Sequence, residues 1–127
     1  SLENDQLWHN VVRQMLVGPA FSHVRYEFRT PETFAELSEI EDSSLDFIMI
    51  DGWDRHGCVL HALRKIKPGG MIYLDNSDKD MTRPDCDLRR AEAALLDGVA
   101  ARSGSVRYFT DFAPTNFFAE QGMMAWL

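Results

Sequence analysis

Residues 45–78, LDFIMIDGWDRHGCVLHALRKIKPGGMIYLDNSD, contain two apolar runs that each end in acid. Phe47-Ile48-Met49-Ile50 closes on Asp51, and Met71-Ile72-Tyr73-Leu74 closes on Asp75-Asn76. A short run apolar on both faces suits a strand covered by helices on both sides, the setting of a parallel sheet. Between the runs, Val59, Leu60, Leu63 and Ile66 recur at helical spacing from about Arg55, and Lys67-Pro68-Gly69-Gly70 stops the helix. A strand, a helix and a second parallel strand imply a right-handed crossover. Ligands of such sheets bind at the carboxyl ends of the strands, so Asp51, Asp75 and Asn76 are expected on one rim.

Outward from this unit the pattern repeats. Asn4 or Asp5 offers a helix cap before Leu7, Trp8, Val11, Val12, Met15 and Leu16, and Gly18-Pro19 ends that helix. His23 to Phe28 places Val24, Tyr26 and Phe28 on one face of a strand, and Thr30-Pro31 opens a helix expected to run to about Ile40. Downstream, Asn76 to Pro84 reads as loop, and a helix runs from about Asp85 to Arg102, ended by Gly104. Val106 to Phe112 and Asn116 to Leu127 read as strands around a Pro114-Thr115-Asn116 turn, giving a terminal antiparallel hairpin. Strands are therefore expected at about 23 to 28, 45 to 50, 71 to 75, 106 to 112 and 116 to 127, in one α/β domain spanning residues 1–127.

The chain has 127 residues, 45% hydrophobic and 26% charged, with 13 basic against 20 acidic side chains and a net charge of −7. That balance argues against nucleic-acid and anionic-membrane partners, which need a basic footprint. Cys58 and Cys86 lie 28 positions apart without a neighbouring cysteine, so they read as free thiols of a reducing compartment, and the expected location is cytoplasmic. No apolar run approaches the ~20 residues that span a bilayer. Neither a G-x-S-x-G nucleophile elbow nor a phosphate-binding loop is present.

The order of elements resembles the class I S-adenosylmethionine-dependent methyltransferases, whose parallel βα units also end in an antiparallel hairpin. DFIMIDG (46–52) resembles the family's fourth strand with its terminal acid, and LRKIKPGGMIYLDNSD (63–78) its Lys-Pro-Gly-Gly turn and fifth strand. Ser1-Leu2-Glu3 resembles the end of the second strand, where an acid binds the cofactor's ribose hydroxyls. The resemblance implies a Rossmann-like, mostly parallel sheet, S-adenosylmethionine as cofactor and a small-molecule acceptor. It assigns Glu3 to the ribose, although a Glu before a helix also serves as a favourable charge at the positive end of the helix dipole.

The family's first strand and glycine-rich loop have no counterpart here, so the resemblance is to the C-terminal two-thirds of the domain, and the fold is expected to be N-terminally incomplete. In the family that strand lies between the second and fourth, at the centre of the sheet. Its absence predicts an unpaired edge, and with it self-association into a homo-oligomer, direct docking of the 23–28 strand on the 47–50 strand, or an upstream segment.

In the metal-dependent O-methyltransferases of the catechol and caffeoyl type, an acid after the fourth strand and an Asp-Asn pair after the fifth hold one divalent cation. By that resemblance Asp51, Asp75 and Asn76 are candidate ligands of Mg²⁺ or a similar ion, since hard cations take oxygen donors. The plain alternative is that Asp51 caps the next helix and Asp75-Asn76 makes a turn. Two close carboxylates should in either case raise one pKa. In the loop GWDRHG (52–57), Trp53 is a candidate for stacking on adenine or substrate, Arg55 for binding a substrate carboxylate, and His56 for general base. Asp51 is a candidate for direct contact with cofactor or substrate and for catalysis. Asp54 capping the helix and Trp53 packed on the sheet edge are the structural alternatives. His9, His23 and His61 have no ligand-type neighbours in sequence and read as structural. The rival to an enzyme is a non-catalytic module that acts through association.

Overall fold

The computed structural model describes residues 1–112 and 117–127. In chain order it has β1 (Leu2–Glu3), α1 (Gln6–Met15), β2 (Glu27–Phe28), β3 (Leu45–Ile50), α2 (Arg55–Lys65), β4 (Ile66–Leu74), α3 (Asp87–Ala101), β5 (Ser105–Phe112) and β6 (Ala119–Trp126). A 3₁₀ turn at Pro19–Phe21 follows α1. The strands form two sheets. One is four-stranded in the order β3-β4-β6-β5, with β3 and β4 parallel and the other pairs antiparallel. The other is the parallel pair β1-β2.

Register explains where the core sits. Ile48, Ile72, Ala125 and Val106 stand in one cross-strand row, and Ile50, Leu74, Met123 and Tyr108 in another. On that face α2 and α3 bring Val59, Ala62, Leu88, Ala91, Leu95 and Val99 against the sheet, all buried. The alternate rows, which start at Phe47 and Met49, point to the opposite face. There Phe47 is 47% and Met49 58% exposed. β3 was expected to be covered on both faces. Only one is covered, because α1 packs instead against β1 and β2. His9 of α1 is buried there, stacked on Tyr26 with ring centres 4.9 Å apart and edge-on to Phe28. Of the expected Val24, Tyr26 and Phe28 face, Tyr26 and Phe28 meet on His9, while Val24 is exposed. Leu7, Trp8, Val11 and Met15 of the same helix stay exposed.

Several boundaries differ from those expected. The 23–28 strand shrinks to Glu27–Phe28, which pairs with β1 and not with β3, so direct docking of those two strands does not occur. No helix forms over 30–40. Its backbone bonds, Thr33 N to Thr30 O, Glu36 N to Thr33 O and Ile40 N to Leu37 O, are isolated i→i+3 turns. The segment instead seats Phe34, which is buried, against Gly52. The loop after it is held by Lys65, whose Nζ donates to Ile40 O and Asp42 Oδ1, both at 2.6 Å.

Lys67-Pro68-Gly69-Gly70 ends α2 as expected, but it belongs to β4. Leu45 pairs with Ile66 and Phe47 with Met71, so the four residues bulge out of the ladder. Gly69 supplies the left-handed φ of +80° that the bulge needs, and its N–H donates to Leu127 O. α3 ends in a Schellman motif in which Gly104 N donates to Val99 O at 2.9 Å, with Ser103 at φ +53°. β5 and β6 form the expected hairpin, and the Pro114-Thr115-Asn116 turn lies outside the described residues.

Candidate active site

The two sheets are separated by a half-open cavity of about 800 Å³ lined by Leu2, Glu3, Phe47, Met49, Asp51 and Trp53, among others. Glu3 ends β1, Asp51 follows β3, and Asp75-Asn76 follows β4. Glu3 and Asp51 therefore line one cavity, and Asp75 and Asn76 lie beside Asp51.

Asp75 N donates to Ile50 O at 3.0 Å, which extends the β3-β4 ladder by one rung and brings Asp51 and Asp75 together. Burial raises the Asp51 pKa above the ordinary carboxylate value. The neighbouring Asp75 carboxyl adds to the rise through a hydrogen bond and through charge, and Arg55 opposes it. That is the direction expected of two close acids, with burial as its largest cause. Asp75 Oδ1 also accepts from the Tyr73 hydroxyl at 3.1 Å. Burial, then this bond, raises the Tyr73 pKa as well.

Arg55, the first residue of α2, ties the rim together. Its Nη2 donates to Asp51 Oδ1 at 3.2 Å and to Asn76 Oδ1 at 3.1 Å. Asn76 is buried, and its φ of +56° is a conformation that Asn tolerates better than most residues. Asp51 does not cap α2. Asp54 does, accepting from Gly57 N at 3.1 Å, and Asp87 at the start of α3 accepts from Arg55 N at 2.8 Å and His56 N at 3.0 Å.

His56 is turned toward α3. Its Nδ1 lies 2.9 Å from Arg90 Nη2. Arginine can only donate, so Nδ1 accepts and the ring proton sits on Nε2. In that state His56 offers a donor and no free lone pair for base catalysis. Trp53 is 58% exposed on the cavity wall, not packed on the sheet edge. Its carbonyl accepts from Cys58 Sγ at 3.6 Å. Burial pushes the Cys58 thiol up to about 12. Glu3 Oε1 accepts from Asn4 N at 2.8 Å and Asp5 N at 2.9 Å, so it shapes the entry to α1 while lining the cavity.

The structure thus gathers Asp51, Asp75, Asn76 and Arg55 into one cluster, sets Glu3 and Trp53 on the cavity wall, and leaves His56 bonded to Arg90. Tyr73, Asp87 and Arg90 were missed. Tyr73 shares a strand face with Asp75 two residues on, a signal the sequence does carry. Nothing local announces Asp87 or Arg90. For a divalent ion the donor set does not fit as it stands, because the Arg55 guanidinium bonds to one oxygen of Asp51 and to the side-chain oxygen of Asn76. Among the described residues no group of three or more His, Cys, Asp or Glu is placed to hold a metal.

No family model matches the sequence, and no curated protein matches it. Solved structures do. An O-methyltransferase from Bacillus cereus in complex with SAH aligns at a TM-score of 0.69 and 18% identity, covering 99% of this chain and 60% of that one. TomG, an O-methyltransferase from Streptomyces achromogenes involved in tomaymycin synthesis and solved in complex with SAM, aligns at 0.65 and 16%, with the same coverage. Precorrin-6y C5,15-methyltransferase from Geobacter metallireducens aligns at 0.57 and 18%, covering 98% of this chain and 64% of that one. The fold is that of a class I methyltransferase.

This chain spans 60% of the length of the O-methyltransferases it matches. Among the described residues no helix is long and apolar enough to cross a membrane.

Proposed function

We propose that this chain carries the acceptor side, and the ribose-binding acid, of a site for S-adenosylmethionine-dependent methyl transfer to a small molecule through oxygen. The observation that carries the reading is the placement of Glu3 and Asp51 on one cavity at the carboxyl ends of β1 and β3, with Asp75 and Asn76 beside Asp51. A cavity of about 800 Å³ is of the size that holds cofactor-sized ligands.

When bound, S-adenosylmethionine supplies a methyl group on a sulfonium. Glu3 would accept from the ribose hydroxyls, and Trp53 would offer its exposed ring to the adenine or to an aromatic acceptor. Asp51 would take the hydroxyl proton of an acceptor whose oxygen receives that methyl group. A raised pKa makes Asp51 a stronger base than an ordinary carboxylate, and Asp75 is one cause of that rise. Arg55 presents its charge to the acceptor side of the rim, and His56 its Nε2–H. Most of the rate comes from positioning, because charge is lost rather than created in the transfer.

The net charge of −7 supports a small-molecule acceptor over a polyanion, and the two free cysteines support a reducing, cytoplasmic setting. A second reading is a non-catalytic module, a homo-oligomer joined at the β3 edge. It rests on the exposure of Phe47 and Met49 beside that edge. Calorimetric titration with S-adenosylhomocysteine separates the two. Saturable heat supports the enzyme, while no heat from this chain or from an N-terminally extended version removes it, and sedimentation at several concentrations then tests association.

A further inference from the structure

We propose that Arg55 is the resident cation of the acidic rim, so that Asp51, Asp75 and Asn76 form an arginine-held cluster and not a divalent-metal site. Each of the three side chains already has an internal partner. Asp51 Oδ1 and Asn76 Oδ1 accept from the same Arg55 nitrogen, at 3.2 and 3.1 Å, and Asp75 Oδ1 accepts from the Tyr73 hydroxyl at 3.1 Å. A cation bridging Asp51 and Asn76 would have to share the one side-chain oxygen of Asn76 with Nη2, and even on the second Asp51 oxygen its charge would sit beside the guanidinium.

Arg55 has reason to stay. Its backbone N–H is held by Asp87 at 2.8 Å, which fixes the start of α2 four residues after Asp51. Its Nε is buried without a partner, so Nη2's two bonds are what compensate the desolvated charge. Withdrawing the side chain from the rim would forfeit both.

The inference stands on the geometry of the rim and does not need the methyl-transfer reading. Its test accordingly reads metal binding and not activity. Free Mn²⁺ is followed by electron paramagnetic resonance during titration of the wild type, Arg55→Met, and Arg55→Met combined with Asp75→Asn. The wild type should show no saturable binding, or binding about tenfold or more weaker than Arg55→Met, and the double variant should lose what the single one gains. Arg55→Gln, uncharged but still a hydrogen-bond donor, serves if Arg55→Met does not fold. A parallel readout is Tm with and without Mg²⁺, which should rise for the Arg55 variants alone. Wild-type binding as tight as that of the variants overturns the proposal. So does a failure of every folded Arg55 variant to bind Mn²⁺, because the oxygens would then not be what arginine withholds.

Discussion

Tyr73 and Gly122 share one space: the Tyr73 hydroxyl on β4 stands where a Cβ on Gly122 of the neighbouring strand β6 would be. The glycine is there for close approach, which lets the phenol lie across β6 and reach Asp75. Gly122→Ala should therefore cost about 1–3 kcal/mol by overpacking and should free Asp75 from its hydroxyl partner. Urea denaturation of Gly122→Ala, Tyr73→Ala and the double variant checks this. The added methyl should cost far less once Tyr73 is an alanine, and strict additivity would disprove the shared space.

Asp51 makes stability depend on pH in a defined sense. Its carboxyl is held above the ordinary 3.8, so the native chain binds that proton more tightly than the unfolded chain does. The favourable contribution is full below 3.8 and is lost as pH rises through the native pKa. At neutral pH the ionised Asp51 therefore opposes folding. Asp51→Asn, whose amide oxygen can still accept from Arg55, should melt higher than the wild type at neutral pH. That advantage should vanish as the buffer falls through the carboxylate range. Melting curves across that range decide it, and a constant gap would mean that Asp51 is not the titrating group.

What could be read from the sequence follows what neighbours in the chain decide. The bounds of β3, the Asp54 cap and the span of α3 rest on residues within one turn or strand, where periodicity and capping act directly. Asp51, Asp75 and Asn76 were placed on one rim because a parallel crossover aligns strand ends. The bond from Arg55 to Asn76 spans 21 positions and that from Arg55 N to Asp87 spans 32, so no local pattern encodes them. The error at 30–40 has the opposite origin. Its helical pattern is genuine, but the segment forms isolated turns that bury Phe34 against Gly52, a tertiary contact that local periodicity does not encode. β3 misled because an apolar run reports that side chains suit burial, not that a covering layer is present.

Asp87 acts for two helices at once. It opens α3 and accepts from both exposed first-turn N–H groups of α2, at 2.8 and 3.0 Å. Asp87→Ala should cost about 0.5–2 kcal/mol, as lost caps do, and should loosen Arg55 at the rim. Asp85→Ala, on the preceding loop, should stay within about 0.5 kcal/mol of the wild type. Equal effects of the two substitutions in chemical denaturation would show that the carboxylate does not cap α2.

Cys58 should be inert although it lies beside the proposed site. Burial is the main cause that lifts its thiol from an ordinary 9.0 to about 12, with the charges of Asp54 and Asp87 adding to it. That difference lowers the thiolate population about a thousandfold, and the thiolate is the species that reacts. The thiol also spends its proton on the Trp53 carbonyl. Iodoacetamide at mildly alkaline pH should therefore leave Cys58 unmodified in the folded chain and alkylate it readily in denaturant, as read by mass spectrometry of the peptide that carries it. Modification of Cys58 at the same rate with and without denaturant would show that the loop from Gly52 to Gly57 opens far more often than its caps at Asp54 and Asp87 allow.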